Sequence, residues 1–337
     1  MQGWPVLATL LVFLPLWRIA NTGAQPVMPL FWGILAVLGV WIGQRDRYLG
    51  ICALYLVIRG VVTPAPLAFE TVFAILAGML LLLTARQTSE RVRSWLIHLV
   101  VASGVIQLAL SLLQWWAVPY VSAWIAGSIG NPAYLSSYLA IAGAVAPGFL
   151  LPVFIGGVIL TRSVGGAVAL AAALAVRYRR ARLWILFGSL GIVVLTAWRH
   201  SLSPSNVWDA IYKRAAIWMI AGADQATSAI SLVFGFGPGG WLRRFPLLQY
   251  NSRFAVSEIH GQAHNEFIQL AYEGGLVALV LLGLWIWSRR ATLATSPILP
   301  AVVAAGVSAL TIFPFQVAAT AVLALTMLGF ATQEAVR

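Results

Sequence analysis

Long apolar segments recur along this chain, and they restrict its fold more than any other feature does. A helix needs about 20 apolar residues to cross a bilayer. Inside lipid every backbone polar group must be hydrogen-bonded within the protein, a condition that helices meet locally. Only 9% of the residues are charged, against about 25% in soluble domains. The sequence therefore predicts an all-α, polytopic membrane protein with about 12 transmembrane helices, folded as a single transmembrane domain over residues 1–337.

The candidate spans are not equally clear. They lie near 4–20, 26–43, 48–62, 67–85, 94–117, 132–147, 150–162, 164–180, 182–197, 266–288, 297–313 and 316–331. The first lacks a basic segment and a small-residue cleavage site, so it is interpreted as a span and not as a removable signal peptide. The three between 132 and 180 are short and poorly separated, and one of them is a candidate re-entrant hairpin.

Arginine-rich loops set the expected orientation. Short basic loops at 44–48, 85–95, 177–182 and 288–293 are expected in the cytoplasm by the positive-inside rule. With twelve spans these four loops fall on one side, and both termini are then cytoplasmic. The outer side receives the longest polar insertion, 198–265, a periplasmic loop expected to carry part of a functional site. Apolar residues recur at helical spacing between Val207 and Ile220, which predicts an amphipathic helix lying on the membrane.

Several cationic residues are expected on the outer side, although the positive-inside rule disfavours them there. The rigid guanidinium fork matches phosphate oxygens two at a time, which favours an anionic ligand. For any single member, snorkelling to lipid head groups is the alternative. Arg162 stands out because "TRS" closely links two apolar blocks, and an ionisable group at the membrane boundary suggests function. The set consists of Arg162, Arg199, Lys213, Arg214, Arg243, Arg244 and Arg253.

Two of the four histidines, His260 and His264, precede the span that begins near residue 266. At the outer surface His264 would project from the first turn of that helix, and its ordinary pKa suits proton transfer near neutral pH. Asn265 and Glu266 are expected to cap this turn, or Glu266 to orient the imidazole. Zinc binding is the alternative, but Gly261 occupies the position that zinc hydrolases give to glutamate. We therefore predict a proton acceptor and no metal.

One further motif, "GFGPGG" at 235–240, formally fits a nucleotide-binding pattern. It follows no predicted strand and lacks the lysine and hydroxyl of a phosphate-binding loop. The sequence therefore predicts a turn at 235–240 and not a nucleotide site. We expect no other cofactor and no nucleic-acid partner.

Four segments, taken in order, resemble the O-antigen ligase/polymerase superfamily of bacterial membrane glycosyltransferases. They are "GSIGNPAYLSSYLA" (127–140), "LTRSVGGAVAL" (160–170), "YKRAAIWMIA" with "LVFGFGPGGW" (212–241), and "AHNEFIQLAYEGGLVAL" (263–279). In this chain Ser163 follows Arg162, whereas the family places serine first. After the Glu-x-Gly step the family often has a third small residue in the glycine positions, and Ala278 stands there instead. The resemblance covers roughly residues 127–320.

This resemblance implies a helical fold of the GT-C kind, in the inner membrane of a bacterium. It implies transfer of a glycan from an undecaprenyl-diphosphate carrier to an acceptor hydroxyl at the periplasmic face, without a metal. His264 would be the catalytic base, and Arg162 and Arg214 would contact the carrier diphosphate. Asn131 of the Gly-Asn-Pro segment, with Lys213, Arg199, Arg243, Arg244, Asn265 and Glu266, is expected to bind substrate.

Related activities remain open at the level of sequence. The acceptor is a lipid for a ligase, a second lipid-linked glycan for a polymerase, or a protein for an O-oligosaccharyltransferase. A flippase for an anionic lipid is an alternative from another class, although it calls for polar residues at mid-membrane and often for inverted repeats. A glycosidase is disfavoured, because Asp209, Asp224 and Glu258 are spread along the loop and do not form a pair.

Overall fold

The chain is helical throughout the part that the structure describes. The structure, a computed structural model, describes residues 28–63, 66–117, 126–181, 204–252, 261–312 and 314–333, together with residues 183, 185 and 188. Its α-helices are α1 (Met28–Arg45), α2 (Arg47–Val62), α3 (Pro66–Arg86), α4 (Glu90–Ala117), α5 (Pro132–Val145), α6 (Leu151–Leu160), α7 (Val164–Arg177), α8 (Pro204–Gln225), α9 (Ala229–Phe234), α10 (Gly240–Tyr250), α11 (Glu266–Thr295), α12 (Leu299–Thr311) and α13 (Ala318–Ala331). No strand occurs among these residues, so the all-α prediction is confirmed for them.

In the part of the chain that the structure describes, three helices are long and apolar enough to cross a membrane: α3 from Ala68 onward, α4 and α11. Large apolar side chains on α4, among them Leu99, Leu113 and Trp116, are exposed. In a soluble protein such a surface is rare, whereas in a membrane protein it contacts lipid. These observations indicate a helical membrane protein. The number of twelve spans stays a prediction, and the predicted spans 4–20 and 182–197 lie outside the described residues, apart from 183, 185 and 188.

The crowded region between 132 and 180 forms three short helices. Helix α6 has 10 residues, which is about 15 Å of helix, half of the 30 Å or so of a hydrocarbon core. Helices α5 and α7 have 14 residues each. The 3-10 turn Gly148–Leu150 runs directly into α6, and the helical segment Gly148–Leu160 is thus about as long as α5 and α7. The re-entrant hairpin stays a prediction.

The described residues fall into two compact units. Unit 1 takes its residues from Met1–Thr84, Arg214–Ala263 and Phe267–Arg290, and unit 2 from Ala85–Lys213, His264–Glu266 and Ala291–Arg337. The core of unit 2 is built from α5, α7, α12 and α13, with apolar residues such as Leu139 and Met327 fully buried. The sequence of α7 is mostly alanine and glycine, and small residues let helix backbones approach closely.

In unit 1 the connection between α1 and α2 is fixed by Asp46. Its carboxylate caps α2 by accepting from the backbone N–H groups of Tyr48 and Leu49, at 3.1 and 3.3 Å. It also forms an ion pair with Arg289 at 2.8 Å and accepts from the indole N–H of Trp285 at 3.3 Å. The basic loops 44–48 and 288–293, predicted to share one side of the membrane, thus lie together at one end of unit 1.

Candidate functional site

Two predicted site residues share an uncommon backbone conformation. Among the described residues, Arg162 (φ 57°) and His264 (φ 54°) are the non-glycine residues with a positive φ. A left-handed conformation costs a residue with a Cβ roughly 1–2 kcal/mol. It persists only where the surrounding structure imposes it, and such residues cluster at functional sites. Both lie in unit 2.

Arg162 lies in the turn that joins α6 to α7. The hydroxyl of Thr161 donates to the carbonyl of Val158 at 2.6 Å and accepts from the backbone N–H of Ser163 at 3.3 Å. The Ser163 hydroxyl in turn accepts from the N–H of Gly166 at 3.4 Å and caps α7. These local bonds hold the backbone on both sides of Arg162, which itself is half-buried.

The same turn packs against the C-terminal end of α12. A Cβ at Gly165, in the first turn of α7, would lie 2.7 Å from the Thr311 hydroxyl oxygen and 3.0 Å from the Ile312 side chain. The glycine therefore permits α7 to start directly on the end of α12. The turn that carries Arg162 is thereby placed at this end of unit 2.

The residues after His264 are bound to the same end of α12. The Asn265 side-chain amide donates to the carbonyl of Leu310 at 3.1 Å. The Glu266 carboxylate accepts from the N–H of Phe315 at 2.9 Å and from the Gln316 side-chain amide at 3.1 Å. Arg162 and His264 thus belong to one end of unit 2. The prediction that His264 projects from the first helical turn is wrong, because α11 begins at Glu266 and His264 lies before it in a left-handed conformation.

Asn131 begins α5. Its side-chain oxygen accepts from the N–H of Ala133 at 2.8 Å, Pro132 follows as the first helical residue, and Gly130 adopts a left-handed conformation before it. The Gly-Asn-Pro segment is therefore a helix start of the usual kind. The Asn131 side chain is exposed, and the capping bond explains its residue type, while its role in binding substrate stays a prediction.

In unit 1 the predicted site residue Arg214 lies on α8. It is half-buried, burial lowers the pKa of its guanidinium, and no hydrogen bond or ion pair holds it within the described part of the chain. One turn further along, the Trp218 indole donates to the carbonyl of Ala263 at 2.8 Å. Ala263 is also held by Gln269, whose side-chain oxygen accepts its N–H at 3.2 Å. Within unit 1, Ala263 is therefore held by side chains of α8 and α11.

Arg243 and Arg244, both predicted to bind substrate, are neighbours on α10 but have different partners. Arg244 forms two bonds of 2.7 Å to the carboxylate of Asp224 and stacks over the Phe236 ring at 4.3 Å. Tyr272 donates to the same carboxylate at 2.7 Å. Arg243 is exposed and donates to the carbonyl of Phe236 at 3.2 Å. The contacts of Arg244 favour a structural role, and substrate binding by either arginine stays a prediction.

The charges in this network reinforce one another. Burial acts to raise the pKa of Asp224, but the hydrogen bonds from Arg244 and Tyr272 and the charge of Arg244 outweigh it, so that the pKa lies below its usual range. The bond to Asp224 raises the pKa of Arg244 in return. Both groups are therefore charged over the whole neutral range.

The glycine-rich turn 235–240 docks onto a break in α11, and we call this contact the glycine clasp (residues 234–241 and 271–275). Gly275 has φ 66° and ψ −170°, which ends the first part of α11. The last four carbonyls of a helix have no partner within it. Here each one is satisfied from outside. Ala271 accepts from the Gln225 amide at 2.5 Å, Tyr272 from the Phe236 N–H at 2.9 Å, Glu273 from the Gly237 N–H at 2.8 Å, and Gly274 from the Tyr55 hydroxyl at 2.6 Å.

Side-chain contacts complete the clasp. The Glu273 carboxylate accepts from the N–H groups of Gly239 and Trp241, at 3.1 and 3.2 Å, and so stabilises the start of α10. Arg59 of α2 donates to the carbonyl of Gly235 at 2.8 Å. A Cβ at Gly235 would overlap the backbone of Glu273 and Gly275. The prediction of a turn at 235–240 is confirmed, and the turn donates hydrogen bonds to carbonyls at the break in α11.

No protein-family model and no curated protein matches this chain. The resemblance described above therefore rests on the chain's own residues. The remaining predicted site residues add little, because Arg199 lies outside the described residues, as do His260 and Arg253. Lys213 is half-buried on α8 next to Arg214.

Sequence reasoning missed two residues that hold the glycine clasp. Tyr55 lies on α2, in an early span that resembles nothing in particular, and Gln225 lies at the end of α8. A tyrosine within an apolar segment was the available signal, because polar groups in such segments seek partners. Their partners are backbone carbonyls, which no residue pattern reveals.

Proposed function

We propose that this chain is a membrane glycosyltransferase of the O-antigen ligase type. It transfers a glycan from an undecaprenyl-diphosphate carrier to an acceptor hydroxyl at the periplasmic face of a bacterial inner membrane. The observation that carries the proposal is the shared left-handed conformation of Arg162 and His264 at one end of unit 2. These are two of the residues to which the resemblance gives catalytic roles.

The chemistry that these groups favour is a displacement at a sugar carbon. His264 accepts the proton of the acceptor hydroxyl as its oxygen bonds to the anomeric carbon. The bond from that carbon to the diphosphate breaks, and the diphosphate leaves with both bonding electrons. Arg162 stabilises the charge that develops on the departing phosphates, a task that fits a positioned guanidinium.

Arg214 is proposed as a second cation for the diphosphate. A half-buried guanidinium without a partner among the described residues is poorly solvated, and an anionic ligand would restore the interactions it lacks. The roles of Lys213, Arg199, Asn265 and Glu266 in holding substrate belong to the same proposal. So do the twelve spans and the outer position of loop 198–265.

The decisive experiment replaces His264 by asparagine in purified, reconstituted protein supplied with a lipid-diphosphate-linked glycan. Asparagine tolerates a positive φ better than most residues, so that His264→Asn removes the base and keeps the backbone. The matched control is His98→Asn, because the His98 ring contacts the carbonyl of Ser94 within its own helix. We expect no product from His264→Asn and normal product from His98→Asn. Full activity of His264→Asn would refute the assignment.

The kind of acceptor is read from the product. Growth of the product as a ladder identifies a polymerase, and a single step onto a lipid or a protein identifies a ligase or an oligosaccharyltransferase. Movement of labelled carrier across liposomes without glycan transfer would instead favour the flippase, and the glycosyltransferase proposal would then be wrong.

A further inference from the structure

Helix α10 is apolar on both of its sides. The side towards the core of unit 1 buries Trp241 and Phe245, whose rings stack with centroids 4.2 Å apart. The opposite side exposes Leu242 (50%), Leu247 (67%) and Tyr250 (85%). At about 100° of rotation per residue, these three fall within one arc of roughly 140°. They form a continuous stripe, which we call the α10 stripe.

The stripe does not belong to a membrane span. Helix α10 has 11 residues, which is about 16 Å of helix, and it contains Arg243 and Arg244. On α8, Met219 is exposed as well. A surface of this kind, too short to cross a bilayer, is typical of a helix that lies in the membrane interface.

The positive charges near the α10 stripe indicate an anionic partner. By rotation about the helix axis, Arg243 falls within the α10 stripe, and its side chain is exposed. Residues 214–252, all in unit 1, contain Arg214, Arg243 and Arg244, and Asp224 as the single carboxylate. The Asp224 carboxylate is held by Arg244. An anionic lipid leaflet matches this surface in two ways, because acyl chains cover apolar residues and phosphates pair with arginines.

We infer that α10 lies flat in the interface of an anionic lipid leaflet. Leu242, Leu247 and Tyr250 enter the acyl boundary, and Arg243 lies at the level of the phosphates. This inference does not depend on the proposed function, since it concerns how the insertion is held at the membrane and not what reaction occurs there.

Spin labels on α10 test the inference. The chain has one cysteine, Cys52, so Cys52→Ala provides a clean background for Leu247→Cys and Tyr250→Cys. Both positions are exposed, and substitution there removes few contacts. Ala226→Cys, in the exposed turn after α8, is the matched control. The protein is reconstituted in vesicles containing phosphatidylglycerol, and each label is probed by collision with oxygen and with a water-soluble nickel chelate.

We expect the ratio of oxygen to nickel accessibility to be several-fold higher at 247 and 250 than at 226. In vesicles of pure phosphatidylcholine the ratio at 247 and 250 should fall. Equal ratios at the three positions would overturn the inference, and an unchanged ratio in phosphatidylcholine would overturn the assignment of anionic head groups. Spin–spin broadening between dilute copies would show that a second copy, and not lipid, covers the α10 stripe.

Discussion

The Tyr55 hydroxyl offers the sharpest test of the glycine clasp. It lies 2.6 Å from the carbonyl oxygen of Gly274 and 3.1 Å from that of Phe234. One hydroxyl donates a single proton, so the shorter contact receives it. Tyr55→Phe removes this donor and changes nothing else in the shape of the side chain. The Gly274 carbonyl, freed from its helix by Gly275, then lacks a partner.

The size of the effect follows from the position of that carbonyl. A buried acceptor left without a donor costs about 1–3 kcal/mol. Tyr55 is half-buried, so we expect Tyr55→Phe to lower the free energy of unfolding by about 1–2 kcal/mol. The melting midpoint in detergent should fall by a few degrees.

The chain supplies its own probe for the assay. Cys52 is its only cysteine, lies half-buried one turn before Tyr55 on α2, and reacts with a thiol-specific fluorescent dye when α2 opens. Tyr48→Phe is the control, because no hydrogen bond of the Tyr48 hydroxyl occurs within the described residues. If Tyr55→Phe melts together with the wild type and Tyr48→Phe, the carbonyls at the break do not depend on partners from α2, and this account of the clasp is wrong.

Three further predictions concern backbone and charge. Gly235→Ala should abolish folding, judged by loss of a monodisperse protein in detergent, because a Cβ there overlaps the backbone of Glu273. The depressed pKa of Asp224 stabilises the fold above the ordinary aspartate pKa and ceases to do so as the pH falls through the lowered value. The gap in melting temperature between the wild type and Asp224→Asn should therefore narrow from pH 7 to pH 3, and a constant gap would contradict it. His264→Gly should have a higher melting temperature than His264→Ala, by the equivalent of roughly 1–2 kcal/mol, because glycine adopts the left-handed conformation without strain. Both variants should be inactive. Equal melting temperatures would show that the backbone at residue 264 is not strained.

Sequence reasoning succeeded where the cause of structure is local. Apolar blocks predicted helices, and the predicted helix from Val207 to Ile220 lies within α8. It failed at α11, which was predicted as an unbroken span over 266–288 but is interrupted at Gly275. Two adjacent glycines in an apolar run are compatible with a helix and with a break. The break is decided by donors about 40 to 220 positions away in the chain, and no local pattern shows them.

The sequence was also unable to predict which charged side chains form ion pairs. The sequence predicted that Arg244 lies outside the spans, but it did not show that Asp224, twenty residues earlier, takes two of its donors. Arg214 has no such partner among the described residues. A count of cations treats these two arginines alike, and only packing distinguishes them, because an ion pair needs a geometry that the order of residues does not contain.

The strain at His264 and the bonds around it explain each other. The left-handed conformation costs roughly 1–2 kcal/mol, so it must be imposed by neighbours. Within unit 2, the side chains of Asn265 and Glu266, directly after it, are bound at the C-terminal end of α12 and to the residues that follow it. These bonds fix the backbone that follows the imidazole. Under the proposed function, a proton acceptor that is fixed before its substrate arrives loses little entropy during reaction.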